Sequence, residues 1–323
     1  MRKLLEYAMR GRSQAILVAT GCFALSALLT PGPQSAVTAV TPWFLAGLSI
    51  YASGAVIGLS TLKAGAREGL FVGLGVLLGA SLVALAAGTG VGQVAVLAIL
   101  NWLPAVVAAN LLRKDNLQGS AFSVIGLMAV LAWLGYLVLN GPPALMFEPW
   151  LRDELWPLLV ANLEQSGHEP LPAPDFAAAS KIMGEVALAS LVMGMVLTTL
   201  LARWWHAVLD NPNGFGKEFR ELRMPNSSVY TVVAALFVGV ASTGWVAAAA
   251  GGVVAIAMVL FNFQGIAVVH AIVHQRKGPR SWLVAFYVFY FVGLPIVPYS
   301  PVLLAVVGFA DSWFDYRKRA ART

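Results

Sequence analysis

The stretch AGGVVAIAMVLFNFQGIAVVHAIVHQRKGPR, residues 250–280, decides the fold. From Ala250 to Val273 it holds no Lys, Arg, Asp or Glu, and then Arg276, Lys277 and Arg280 follow in close succession. About 20 apolar residues suffice to cross the ~30 Å of a bilayer's hydrocarbon as a helix. The apolar run is continuous rather than alternating, which excludes a barrel strand. Lys and Arg held back at one end of such a run report the cytoplasmic side.

Working outward, the same phrase recurs. Apolar runs lie at about 14–30, 36–60, 69–88, 91–112, 120–140, 183–202, 229–247, 250–273, 281–297 and 300–314. If both termini are cytoplasmic, every Lys and Arg of the chain except Arg152 and Lys181 falls on the cytoplasmic side. The expected fold is therefore all-α: a polytopic bundle of about ten transmembrane helices forming one membrane domain over residues 1–323, multi-pass in a bacterial inner membrane. The last two runs are short, and Pro295, Pro298 and Pro301 divide them. They read either as two crossings or as a re-entrant hairpin, leaving eight spans, and charge cannot separate the two because both return the C-terminus to the same side.

Composition agrees. The chain is 59% hydrophobic and 11% charged, with a mean hydropathy of +0.77, whereas soluble domains carry about 25% charged residues. The net charge of +6 is accounted for by insertion topology, so no nucleic-acid partner is expected; the basic loops face anionic lipid. The single cysteine, Cys22, reads as a small buried hydrophobe. The basic start followed by Ala15–Leu29 reads as an uncleaved first helix rather than a leader peptide.

Two segments stand outside the spans. Residues 141–180 carry Glu148, Asp153, Glu154, Glu164, Glu169 and Asp175, an acidity suited to the outer face. Glu148–Gln165 has Trp and Leu at helical spacing and predicts an amphipathic helix, and Gly167–Pro174 predicts a Pro-rich loop. Residues 203–228 form a cytoplasmic loop in which DNPNGFGKEFRELRMPN, 210–226, opens on the turn signals Asn211-Pro212 and Asn213-Gly214. Phe215, Phe219 and Leu222 then share one face of a short amphipathic helix, with Lys217, Glu218, Arg220 and Arg223 on the others. Phe215, Phe219, Arg220 and Arg223 are candidates for docking a cytoplasmic partner, the alternative being an interfacial anchor.

No nucleotide-binding or hydrolase motif occurs. Gly88-Thr89-Gly90-Val91-Gly92 lies at a turn between spans with no strand before it, so it is no dinucleotide loop. Polar groups inside spans are then the candidates. Glu185 either faces a cavity or pairs with Lys181 one turn earlier. Asn262, Ile266, His270 and His274 form a slowly rotating stripe on one helix face, with Gln264 beside it. Asn262 is either interhelical glue or a ligand contact. His270 and His274 have a spacing that can grip zinc, but third and fourth ligands are lacking, and His168 and His206 sit in other loops; no metal and no cofactor is assigned. Pro104 frees a carbonyl near mid-membrane with Asn101 close by. Asp311 lies near the inner end of the last run, where pairing with a nearby Arg is expected. Small-residue pairs, Gly54/Gly58, Gly69/Gly73, Gly75/Gly79 and Ala15/Ala19, allow close helix approach.

Three segments, GFGKEFRELRMP (214–225), GIAVVHAIVHQRKG (265–278) and GFADSWFDYRKR (308–319), resemble the YybS-like bacterial membrane proteins, a family of unknown function. That family is grouped remotely with the substrate-binding membrane subunits of energy-coupling-factor vitamin transporters. The resemblance implies a helical bundle with a ligand pocket toward the outer face, and a first helix whose small residues, here Ala15 and Ala19, dock a coupling subunit. Ten spans against about six is a departure from those subunits.

The expected function is binding or transport of a small neutral or apolar molecule, with Asn101, Glu185, Asn262 and Gln264 as ligand-contact candidates. Active transport would require separate coupling or ATPase subunits or an ion gradient. The alternative is a non-transporting scaffold that recruits a partner through 210–226 and the basic C-terminus. No catalytic constellation is present, so an enzyme is not expected.

Overall fold

The structure is a computed structural model that describes residues 1–30, 40–88, 90–115, 118–169, 172–212, 214–292 and 300–320. Thr89, Asn213, Pro295, Pro298 and Arg322, the start of the second expected span and part of the Pro-rich loop lie outside them. The described residues are helical throughout, without strands: α1 (Arg2–Ala8), α2 (Arg12–Leu29), α3 (Val40–Ala64), α4 (Ala66–Ala86), α5 (Val91–Leu97), α6 (Leu103–Asp115), α7 (Gln118–Asn140), α8 (Ala144–Trp150), α9 (Trp156–Gln165), α10 (Phe176–Asp210), α11 (Gly214–Arg220), α12 (Asn226–Ala241), α13 (Gly244–Gln275), α14 (Arg280–Val292), α15 (Ser300–Phe314) and α16 (Tyr316–Ala320). Seven apolar segments among the described residues are long enough to cross a membrane, and α12 and α15 are shorter apolar helices.

Two wide π turns join helices that would otherwise break. Ala98–Trp102 links α5 to α6, and Leu151–Leu155 links α8 to α9. Each lies just before a proline, Pro104 or Pro157. A proline ring has no N–H and crowds the turn before it, and a π turn opens that turn without ending the helix.

The bundle has two packing centres. α2, α3 and α4 pack on one another with Ala15, Ala19, Val72 and Val76 between them. Around α13 gather α7, α10, α12 and α15. α10 ties the centres together. On α3, a Cβ at Gly54 would stand 2.8 Å from the Thr198 methyl, and one at Gly58 would stand 2.9 Å from the Ala202 Cβ. α13 is apolar on every side and is buried over most of its circumference, as a central helix must be.

The basic segments meet at one end. Arg12 pairs with Glu68 across α2 and α4 at 2.7 Å, Arg203 with Glu218, and Arg223 with Asp315 at 2.8 Å. The Arg223 carbonyl lies against Gly119 at the start of α7. At the opposite, acidic end, Pro143 lies against Gly184, and Arg152 stands over the Phe176 ring at 5.5 Å.

Several boundaries differ from the sequence reading. α10 starts at Phe176, because Asp175 caps it by accepting from the Ala177 and Ala178 N–H groups at 3.0 and 3.1 Å, which satisfies donors left open at a helix start. It continues to Asp210, so the basic-end loop begins at Asn211 and not at 203. The seventh and eighth spans divide at Ser242–Thr243 instead of near 248, since both residues are extended and Gly244 has φ +61°. The outer amphipathic helix begins at Ala144, four residues early.

The last two runs form arms of a hairpin. The described parts of α14 and α15 have 13 and 15 residues, about 20 and 22 Å at 1.5 Å per residue, and residues 293–299 between them lie outside the described residues. Tyr290 of α14 and Pro301 of α15 both hydrogen-bond Asn262. Asn262 lies only about 18 Å along α13 from His274. The described arms thus run from the basic end to the middle of α13.

α15 meets α13 backbone to backbone. A Cβ on Gly308 would collide with the Phe261 carbonyl, and one on Gly265 with the Leu304 carbonyl. Gly308→Ala is expected to lower thermal stability by about 1–3 kcal/mol, the usual range for overpacking. Gly135→Ala, where nothing lies within 4 Å, should leave it unchanged or raise it slightly. Unfolding in detergent followed by circular dichroism checks both.

Candidate functional site

A crevice of about 900 Å³ lies between α10 on one side and α12 and α13 on the other. Its walls are small and apolar residues, with Ala189 and Met193 on α10, Gly239 on α12, and Gly251 and Ala255 on α13. Its mouth, at the acidic end, carries Lys181 and Glu185. Its floor is Asn262 with Pro301 and Val302 at the start of α15, and Tyr51 of α3 reaches its edge. Val240 and Ile182 on its rim are 90% and 60% exposed, so the crevice opens sideways toward lipid.

The four ligand candidates separate. Glu185 and Asn262 line this crevice. Glu185 is half-buried, and among the described residues it takes no ion-pair partner, so the expected pairing with Lys181 is not formed. Asn262 donates to the Pro301 carbonyl at 2.8 Å and accepts from the Tyr290 hydroxyl at 3.3 Å.

Asn101 and Gln264 lie elsewhere. Asn101 is buried in the first π turn, where its carbonyl oxygen accepts from Thr198 at 3.2 Å. It joins that turn to α10 and does not reach the crevice. Gln264 has no exposure. Its NH₂ donates to the Gly308 carbonyl at 2.7 Å and to the Ser312 hydroxyl at 3.1 Å, and its oxygen accepts from the Met224 N–H at 2.7 Å. It is a three-way staple of α13, α15 and the 221–225 turn. Sequence reasoning placed it in the right helix but could not see its partners, because they come from segments 40 and 44 residues away.

The docking candidates also divide. Phe219 is 9% exposed and packs edge-on against His270, with Phe215 stacked on it, so this aromatic face is turned into the bundle. His270 is bonded to the Tyr287 hydroxyl at 2.8 Å, away from His274. Among the described residues no three His, Cys, Asp or Glu gather in a way that could hold a metal ion. Ala15 and Ala19 are 2% and 0% exposed; that helix face is already covered by the bundle's own helices.

Arg220 and Arg223 line a second cavity of about 690 Å³ at the basic end, together with Lys217, Glu221, His274, Asp315 and Arg317. Beneath it Asp311, fully buried, accepts from Arg317 at 3.1 and 2.6 Å, the pairing expected of it. Arg317 also donates to the Arg220 carbonyl at 2.9 Å. Partial burial would raise the Asp315 carboxyl, but hydrogen bonds and charge from Lys318 and Arg223 outweigh this and hold it at about 2.

Replacing Gln264 with Ala strands the Met224 N–H and removes the side-chain donors to the Gly308 carbonyl and the Ser312 hydroxyl. At about 1–3 kcal/mol for the unsatisfied buried N–H, the loss should exceed that of a surface substitution severalfold, read by thermal unfolding. The Asp315 carboxyl lies below its ordinary 3.8. Its stabilising contribution is therefore complete above about pH 4 and is lost as pH falls toward 2. Amide exchange of α16 should accelerate across that window in the native chain and show no such step in Asp315→Asn.

Residues 176–312, less than half of the chain, match the family described as "Predicted membrane protein (DUF2232)". No curated protein and no solved structure matches the chain. The matched segment begins at the first residue of α10 and ends within α15, so it carries every residue lining the crevice except Tyr51. In that segment the chain is similar to a predicted membrane protein family of unknown function.

Proposed function

We propose that this membrane protein binds a small, largely apolar molecule in the crevice between α10, α12 and α13, and that it is a binding or transport component rather than an enzyme. The carrying observation is the crevice itself, whose volume of about 900 Å³ lies in the range of small-molecule sites, about 300–1,000 Å³. Lipid tails are as apolar as its walls, so burial alone gives a ligand no advantage over lipid. Selection must come from shape and from the few polar groups. At the floor Asn262 is already engaged by Tyr290 and Pro301, which suits an apolar end. At the mouth Lys181 and Glu185 offer one charge of each sign, which suits a polar end that is neutral or zwitterionic. With the basic end cytoplasmic, as the charge rule requires, the mouth faces outward. Carrying the molecule across would then draw on a separate ATPase subunit or an ion gradient.

Native mass spectrometry of the purified chain tests the reading. A discrete non-phospholipid molecule should be recovered from the wild type. Ser190→Trp, which fills the crevice from an exposed wall position, should reduce its recovery at least about tenfold, and Lys181→Ala/Glu185→Ala should weaken it. Recovery of bulk phospholipid alone from all three proteins would overturn it.

A further inference from the structure

The second cavity lies at the other end of the molecule and does not depend on the crevice. Its cations are Lys217 and Arg220 on α11, Arg223 in the turn that follows, and Arg317 at the start of α16; its acids are Glu221 and Asp315. Two of the four cations are committed. Arg317 is tied to Asp311, and Arg223 to Asp315, which Lys318 also holds. Among the described residues the side chains of Lys217 and Arg220 take no acidic partner. They stand three apart on one helix, so they share a face, and the one uncommitted acid in the lining is Glu221. His274 and Gln275 at the end of α13 complete the wall, where the chain passes into Arg276 and Lys277.

We propose that this cavity is a binding site for a phosphate-bearing anion. The excess charge is positive, so an anion is selected. A guanidinium and an ammonium on one face match a tetrahedral group with several acceptor oxygens, which a guanidinium can grip with two parallel hydrogen bonds. The volume of about 690 Å³ exceeds what inorganic phosphate alone needs, leaving room for a phosphorylated head. Basic cavities between helices at the membrane surface take anionic head groups through the same contacts. The phosphate can thus belong to a lipid of the surrounding leaflet or to a soluble compound, and the chemistry of recognition is the same.

The full chain, purified and reconstituted in nanodiscs, separates the two sources. In one arm, native mass spectrometry compares retention of phosphatidylglycerol with that of phosphatidylcholine. In the other, inorganic phosphate and glycerol 3-phosphate are titrated into chain reconstituted in phosphatidylcholine alone. Selective retention of phosphatidylglycerol assigns a lipid head group, and saturable binding of the soluble phosphates assigns a soluble ligand. In either case Lys217→Gln/Arg220→Gln should weaken binding about tenfold or more, and Glu221→Gln, which removes the opposing charge, should tighten it about threefold. Ligand recovery from the crevice should be unchanged in both variants. Equal retention of the two lipids together with no binding of the soluble phosphates, or binding indifferent to both variants, would overturn the proposal.

Discussion

Inside the bilayer a polar side chain has no water to turn to, so a buried amide must find its partner in the protein. Two amides of α13 find theirs on α15. Asn262 donates to the Pro301 carbonyl at the start of α15, and Gln264 donates to the Gly308 carbonyl about two turns below. Both bonds require α15 to lie directly on α13, and Gly265 and Gly308 make that approach sterically open. The amides and the glycines are therefore one device: remove the glycines and the amides cannot reach.

The crevice follows from the same constraint. The described parts of α14 and α15 lie beside α13 from the basic end to the level of Asn262. Above that level α10 and α12 flank α13 without closing over it. The cavity lies between these helices, and its floor is Asn262 with Pro301 and Val302 at the start of α15. At the basic end, α15 emerges with a buried carboxylate, Asp311, which would be costly alone. Arg317, donating to it through two nitrogens while also holding the Arg220 carbonyl, ties α16 to the end of α11. That tie also shapes the second cavity.

What the sequence made legible was whatever depends on composition and local order. The apolar runs and the cations between them were enough to set the class of fold, and the structure gathers those cations at one end. The Pro104 irregularity was visible as a freed carbonyl beside Asn101, though its form, a π turn bonded to α10, was not. Helix ends inside apolar runs were illegible, because Ser242 and Thr243 differ from their neighbours by backbone angle rather than hydropathy. The site was half legible. Intramembrane polarity pointed to Glu185, Asn262, Gln264 and Asn101 alike, since all four look the same along the chain. Only the contacts distinguish the two that line a cavity from the two that are packed away from it, and those contacts join residues as many as 97 positions apart.

The matched segment, 176–312, contains α13, nearly all of the hairpin and every crevice wall. The helices before it contribute to the crevice only Tyr51, yet they are not idle. α10 would present one long face to lipid if α3 did not cover it, and the cover is tight, with Gly54 and Gly58 receiving Thr198 and Ala202. A wall braced this way holds its position, so the width of the crevice is set by α12 and α13 alone. α12 is the less anchored of these two. It is a short helix whose Leu236, Phe237 and Val240 are largely exposed, and it joins α13 through two extended residues and a left-handed glycine. Side chains that face lipid in either position lose little when the helix swings, because hydrocarbon replaces hydrocarbon. The crevice therefore has one braced wall and one compliant wall, and it opens toward the bilayer between them.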